Sequence, residues 1–185
     1  VSGEIRFVFP DTCLLMNFAA VDRLDIVKNT LDGRGEWGET VCDEVARWGQ
    51  DPNFGPLAQV ASFMPPAIIP TYDEMLHAQR IRLGFAQPGD GPRKHLGEAE
   101  TLALIESQFD ATRTIVFTED KPTAVQCTRR GVATAGTRAL LEAAAHKGLL
   151  TWAEADSVAL AIKAAKRPVL GYPPPIRQPI PRLGN

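Results

Sequence analysis

The chain predicts an α/β fold with helices on both sides of a short central parallel sheet, a three-layer α/β/α arrangement, and three observations carry that expectation. Two short runs are dense in β-branched and aromatic residues, Ile5 to Phe9 and Arg113 to Thr118, and each stops at acids: the first at Pro10-Asp11, the second at Glu119-Asp120. The stretch between them carries apolar residues at helical spacings, as a long crossover between parallel strands requires. The core of the second run, Thr-Ile-Val-Phe-Thr, is almost continuously β-forming, which suits a strand covered on both faces.

Each element follows from its local pattern. After the first strand, Leu14, Leu15, Phe18 and Val21, then Leu24, Ile26, Val27 and Leu31, predict two short helices, with Asp22 available as an N-cap between them. Beyond a Gly-rich break at Asp32 to Gly38, Val41, Val45 and Trp48 space a helix over Glu39 to Trp48. Asp51 to Pro70 holds five prolines, a short helix around Leu57 to Phe63 and the apolar run Ala67 to Ile69, a second candidate strand. A helix over Asp73 to Leu83 leads to Gly84 to Lys94, whose three glycines and two prolines predict a mobile loop, and Leu96 to Phe109 is again helical. After the Arg113 to Thr118 strand come a helix from Pro122 to Arg130 with Gly131 at its end, a short strand at Val132 to Thr134, and helices over Thr137 to Lys147 and Trp152 to Arg167, the latter with Thr151 as its cap. Residues 1–167 are thus read as a single domain, and 168–185, with six of the fifteen prolines, as a tail.

Composition narrows the class. The chain has 185 residues, 44% hydrophobic and 23% charged, with 20 Lys+Arg against 22 Asp+Glu, so a core forms without staples and any nucleic-acid contact must be local. Cys13, Cys42 and Cys127 are odd in number and form no C-x-x-C pair, which argues against a zinc ribbon or disulfide framework and fits a reducing cytoplasm. No membrane span or export signal is read.

In open α/β sheets ligands bind beyond the carboxyl ends of the strands, so Asp11 and Asp120 point to the expected site. Glu44 on the third helix, and Glu98 with Glu100 at the start of another, can reach the same edge. Acids packed this closely repel one another unless a cation sits among them, and oxygen-only ligation favours Mg²⁺ or Mn²⁺. Such a site suits phosphodiester hydrolysis by metal-activated water. A G-x-S-x-G elbow, a phosphate-binding loop and a dinucleotide fingerprint are all missing, and His77, His95 and His146 have no motif context.

The segments Asp11-Thr12-Cys13-Leu14-Leu15-Met16-Asn17-Phe18, Val41-Cys42-Asp43-Glu44-Val45, Leu96-Gly97-Glu98-Ala99-Glu100-Thr101-Leu102-Ala103 and Thr118-Glu119-Asp120 occur in an order and placement that resembles the PIN-domain family, in particular the VapC-like toxin ribonucleases and their relatives. The resemblance spans about residues 5 to 150. It implies metal ligation by Asp11, Glu98 and Asp120, with Glu100 as an alternative to Glu98, and a supporting catalytic carboxylate at Glu44. It also implies orienting hydroxyls at Thr12 and Thr118 and a polar neighbour at Asn17. Glu98 and Glu100 stand about 200° apart on a helix, so both ligate only if the helix is just beginning there.

The expected activity is that of a Mg²⁺/Mn²⁺-dependent endoribonuclease, the toxin of a type II toxin–antitoxin pair, with RNA as substrate and a cognate antitoxin as partner. The alternatives are a structure-selective DNA nuclease and a catalytically silent module that binds RNA or protein. Arg129, Arg130 and Arg138 are candidate RNA contacts, and the apolar stretch Leu14 to Leu31 is a candidate homodimer face.

Overall fold

The structure, a computed structural model, describes residues 4–85, 88–91 and 93–169. Strands β1 (Phe7–Pro10), β2 (Thr114–Phe117) and β3 (Ala133–Ala135) form one parallel sheet in the order β1-β2-β3. The register pairs Phe7 with Thr114 through Pro10 with Phe117, and Ile115 with Ala133 through Phe117 with Ala135. On the other side of β1, two isolated parallel bridges, Gly35 to Val8 and Gly38 to Ile68, lengthen the sheet without forming full strands. The expected strand at Ala67 to Ile69 is therefore a single bridge.

The helices are α1 (Thr12–Ala19), α2 (Leu24–Leu31), α3 (Glu39–Trp48), α4 (Tyr72–Leu83), α5 (Leu96–Gln108), α6 (Lys121–Arg129), α7 (Thr137–His146) and α8 (Trp152–Ala164). Among the described residues, no helix is long and apolar enough to cross a membrane. Strand alternation sorts the helices onto two faces. Val8, Ile115 and Phe117 face a core built from α1, α2, α3, α7 and α8, whereas Phe9 and Val116 face one built from α4, α5 and α6. The fold is mixed α/β with a parallel sheet between two helical layers.

Several boundaries differ from expectation for local reasons. β1 includes Pro10, which has no N–H to donate; Asp11 N bonds Phe117 O at 2.9 Å and continues the ladder. Asp22 is no cap: at φ +52 it takes the left-handed conformation that closes α1, with its N–H on Ala19 O and that of Arg23 on Phe18 O. The helix expected at Leu57 to Phe63 is a 3-10 helix over Gly55–Ser62 with Pro56 in its first turn. The part of the Gly84 to Lys94 loop that is described is tied down, since Phe85 is buried and Arg82 donates to the carbonyls of Gly91 and Lys94.

α8 stops at Ala164, and Lys166 at φ +57 turns the chain back onto α1. There the fully buried Asn17 donates to Thr137 Oγ1 (2.9 Å) and to the Pro168 carbonyl (2.7 Å), and accepts from Arg167 Nε (3.0 Å). Val169 packs against the larger core. The start of the proline-rich tail is thus docked, and residues 170–185 lie outside those described. The apolar faces of α1 and α2, which the sequence left open between a homodimer face and packing within the chain, are covered within the chain: Leu14, Leu15, Phe18, Ile26 and Val27 are all buried.

Asn17→Ala orphans partners on α7 and on the returning chain, and a buried polar group left unpaired costs roughly 1–3 kcal/mol. Urea unfolding should show a loss of about 2 kcal/mol; a change within error would mean the docked segment adds nothing to stability.

Candidate metal centre

The parallel register brings the carboxyl ends of β1 and β2 side by side, so Asp11 lies opposite Thr118. Asp11 caps α1, its Oδ1 accepting from Cys13 N at 3.3 Å, while Oδ2 accepts from Thr118 Oγ1 at 2.8 Å. The same Thr118 oxygen accepts the Asp120 N–H at 3.0 Å, so one buried hydroxyl fixes both acids. Asp120 in turn caps α6 through the N–H and hydroxyl of Thr123, at 2.8 and 2.7 Å on Oδ2. Alternation turns Glu119 away: its carboxylate accepts the N–H of Thr137 at the start of α7.

α5 contributes Glu98 from its first turn and His95 from its cap position. His95, Glu98 and Asp120 each offer a ligand atom, and these atoms lie within 4.8 Å of one another. Ligands at opposite sides of a cation at ~2.0–2.3 Å are separated by up to about 4.6 Å, so this group fits one ion with little movement. His95 was not singled out by the sequence, which showed only a histidine next to a loop. Its placement depends on a left-handed backbone (φ +62) and on stacking against Phe85, with ring centroids 5.3 Å apart. Its Nδ1 is buried without a hydrogen-bond partner and stands 3.8 Å from Glu98 Oε1, a position from which it could serve as a ligand nitrogen.

Glu44 borders the group. Thr12 Oγ1 donates to its Oε2 at 2.7 Å, and both carboxylate oxygens would lie 3.6 Å from a Cβ built on Gly97, so glycine leaves room for the acid. Glu100 is elsewhere. Its carboxylate accepts from the N–H (2.9 Å) and the hydroxyl of Thr40 at the start of α3, and it lies so close to Gly38 that a Cβ there would sit 2.3 Å from Oε1. The helix is already formed at residue 98, so the two acids diverge, and Glu100 is a capping carboxylate for α3 instead of a ligand. Asn17 is likewise spent on α7 and the returning chain.

Where the acids meet, burial and mutual repulsion outweigh the Thr118 and Cys13 hydrogen bonds to Asp11 and the Lys94 charge near Glu98. A cavity of about 10 Å³ beneath Asp11 and Glu98 is floored by Phe9, Leu102, Val116 and Cys127, so the carboxylates stand over apolar surface. Burial, reinforced by the Glu98 charge, pushes Asp11 from its ordinary value near 3.8 up to about 7. Burial also raises Glu98, with Glu44 and Asp120 adding repulsion. Cys127 is buried, and that burial pushes its thiol up to about 12.

The expected arginine contacts fare differently. Arg130 is held by Glu106 (2.9 Å) and Gln126. Arg138 is held by Glu142 (2.9 Å) and Asp156. Arg129 is exposed, but it ends α6, the helix that Asp120 begins, about 13 Å away along the axis. Arg130 and Arg138 are thus engaged by groups of the chain itself.

This division of the acids can be measured. Glu98→Gln should weaken Mn²⁺ binding in calorimetry at least tenfold with little loss of stability, whereas Glu100→Gln should lower stability by about 1–2 kcal/mol and leave Mn²⁺ affinity intact. The reverse pattern would make Glu100 the ligand. Because folded Asp11 holds its proton more tightly than unfolded Asp11, the metal-free protein should lose stability as pH rises from about 4 to about 7. Asp11→Asn, which keeps the cap, should flatten that fall in thermal melts, and an unaltered slope would assign it to another group.

Comparison with models of known protein families, with curated proteins and with solved structures finds no match to this chain.

Proposed function

We propose that the chain is a PIN-type endoribonuclease that needs a divalent cation and hydrolyses RNA phosphodiesters with water, acting as the toxin of a toxin–antitoxin pair. The observation that carries the reading is the group His95, Glu98 and Asp120, with Asp11 joined to Asp120 through Thr118, at the carboxyl edge of a parallel sheet. The order of the acidic motifs supports the PIN assignment, and the choice of RNA and of an antitoxin partner rests on that resemblance.

Asp120, Glu98 and His95 would hold the cation, with Asp11 beside them. A bound divalent cation supplies Lewis acidity that makes water a competent nucleophile near neutral pH. The protein's part is positional. Thr118 aims Asp11 and fixes the Asp120 backbone, Thr12 holds Glu44 facing the same space, and the apolar floor keeps bulk water from beneath the acids. An imidazole nitrogen among the carboxylates favours Mn²⁺ over Mg²⁺, since Mg²⁺ prefers an all-oxygen shell.

A cleavage panel tests this with single-stranded RNA, single-stranded DNA and flap DNA in Mn²⁺ or Mg²⁺. RNA should be cut preferentially and faster in Mn²⁺. Asp11→Asn should abolish cutting, Thr118→Val should slow it roughly 10–100-fold as loss of an orienting partner does, and His95→Gln should narrow the Mn²⁺ preference. Full activity of Asp11→Asn would overturn the mechanism, and preference for flap DNA would replace the substrate.

A further inference from the structure

Beside the acids, Thr40, Asp43, Glu44, Arg47 and Arg93 line an open groove of about 240 Å³. Four of the five come from α3, and Arg93 reaches it from the turn before α5. The groove is continuous with the candidate centre through Glu44, whose carboxylate is held by Thr12 and lies against Gly97, the residue before Glu98.

Its two cations are available. Arg47 and Arg93 are exposed, and among the described residues neither enters an ion pair or side-chain hydrogen bond. Asp43 stands four residues before Arg47, a spacing that often pairs such residues on a helix, yet no bridge joins them. This contrasts with Arg130 and Arg138, both held by acids of the chain. The volume is below the ~300–1,000 Å³ of pockets that engulf a whole small ligand, which suits a fragment of a larger molecule. Two guanidinium groups, each a planar fork of donors, match the non-bridging oxygens of a phosphodiester. Asp43 and Glu44 balance the two arginines, so the groove has no surplus charge with which to trap a free polyanion. A cation at the neighbouring acids would offset the Glu44 side and leave the groove able to take a phosphate.

We propose that this groove is the subsite for the phosphate adjacent to the one cleaved, gripped by Arg47 and Arg93 on a single strand of nucleic acid. The assignment rests on the nuclease reading above, and it replaces Arg129, Arg130 and Arg138 as the backbone contacts. It also makes nucleic-acid binding depend on the divalent cation.

The test uses Asp11→Asn protein as a non-cutting parent, a fluorescein-labelled single-stranded RNA and Mn²⁺, with anisotropy read across a series of KCl concentrations. Adding Arg47→Ala and Arg93→Ala together should weaken binding about tenfold or more and reduce the slope of log affinity against log salt by about 0.7 for each phosphate no longer gripped. Mn²⁺ affinity by calorimetry and the melting temperature should stay as in the parent. Single-stranded DNA of the same sequence should lose affinity equally, since a backbone clamp ignores the sugar. If the parent binds RNA and the double variant binds it as tightly with the same slope, the groove proposal is overturned while the nuclease reading stands. If the unsubstituted protein neither binds nor cuts any strand in Mn²⁺, the nuclease reading fails and the subsite with it.

Discussion

The pairing of Pro10 with Phe117 is the constraint on which the site depends. Parallel strands in this register end together, and the first residue beyond each is then forced into contact: Asp11 N bonds Phe117 O, and Thr118 Oγ1 bonds Asp11 Oδ2. A slip of one residue would turn Asp11 to the opposite face and separate it from Thr118. The register is protected by burial on both faces, because Val8 with Ile115 and Phe9 with Val116 belong to different cores and cannot exchange without exposing one of them.

The chain supports its acids in different ways, and geometry separates those at the sheet edge from the rest. Glu74 accepts from Ser107, Gln108 and Thr71, and these donors, Ser107 first, hold it at about 2, well below the ordinary carboxylate range. Glu119 accepts from the first turn of α7. Such acids are structural: each has donors that compensate its desolvation. Asp11 and Glu98 stand over apolar residues and face other carboxylates, and their proton affinity rises accordingly, while burial raises Glu100 too although Thr40 donates to it. Next to them His95 Nδ1 is buried without a partner. Excess negative charge and an unpaired nitrogen donor in the same place share one remedy, a cation.

Most helices and the two principal strands were legible from periodicity and β-former runs, because those signals reflect burial of a regular face. α3 matches its expected limits, and α5 differs only by its last residue. What escaped was set by backbone geometry at single residues. Asp22 reads as a cap by type but adopts a left-handed turn, and Ala67 to Ile69 reads as a strand but finds only one residue of pairing. Among the site residues, Asp11 and Asp120 were visible as acids after strands and Glu98 as a first-turn acid. His95 was not, since nothing in a lone histidine beside a glycine- and proline-rich loop announces that Phe85 will stack on it and hold it over Glu98. The pairing of two arginines escaped for a similar reason, because closeness in sequence to the last strand does not reveal that Glu106, Glu142 and Asp156 engage Arg130 and Arg138.

By itself, then, the sequence determined the class of fold and offered the candidate acids: carboxylates at the ends of apolar strands, on a chain with near-neutral total charge and no competing nucleophile motif. Those properties are local, each written in a few neighbouring residues. Tertiary structure alone decided which acids meet, that Glu100 serves α3 while Glu98 joins Asp120, that a histidine nitrogen completes the group, and that Arg47 and Arg93 are left open beside it. Those outcomes depend on contacts between residues tens of positions apart, such as the 2.7 Å bond from Thr12 to Glu44 and the 2.8 Å bond from Thr118 to Asp11, which only the packed sheet and its two helical layers bring within reach.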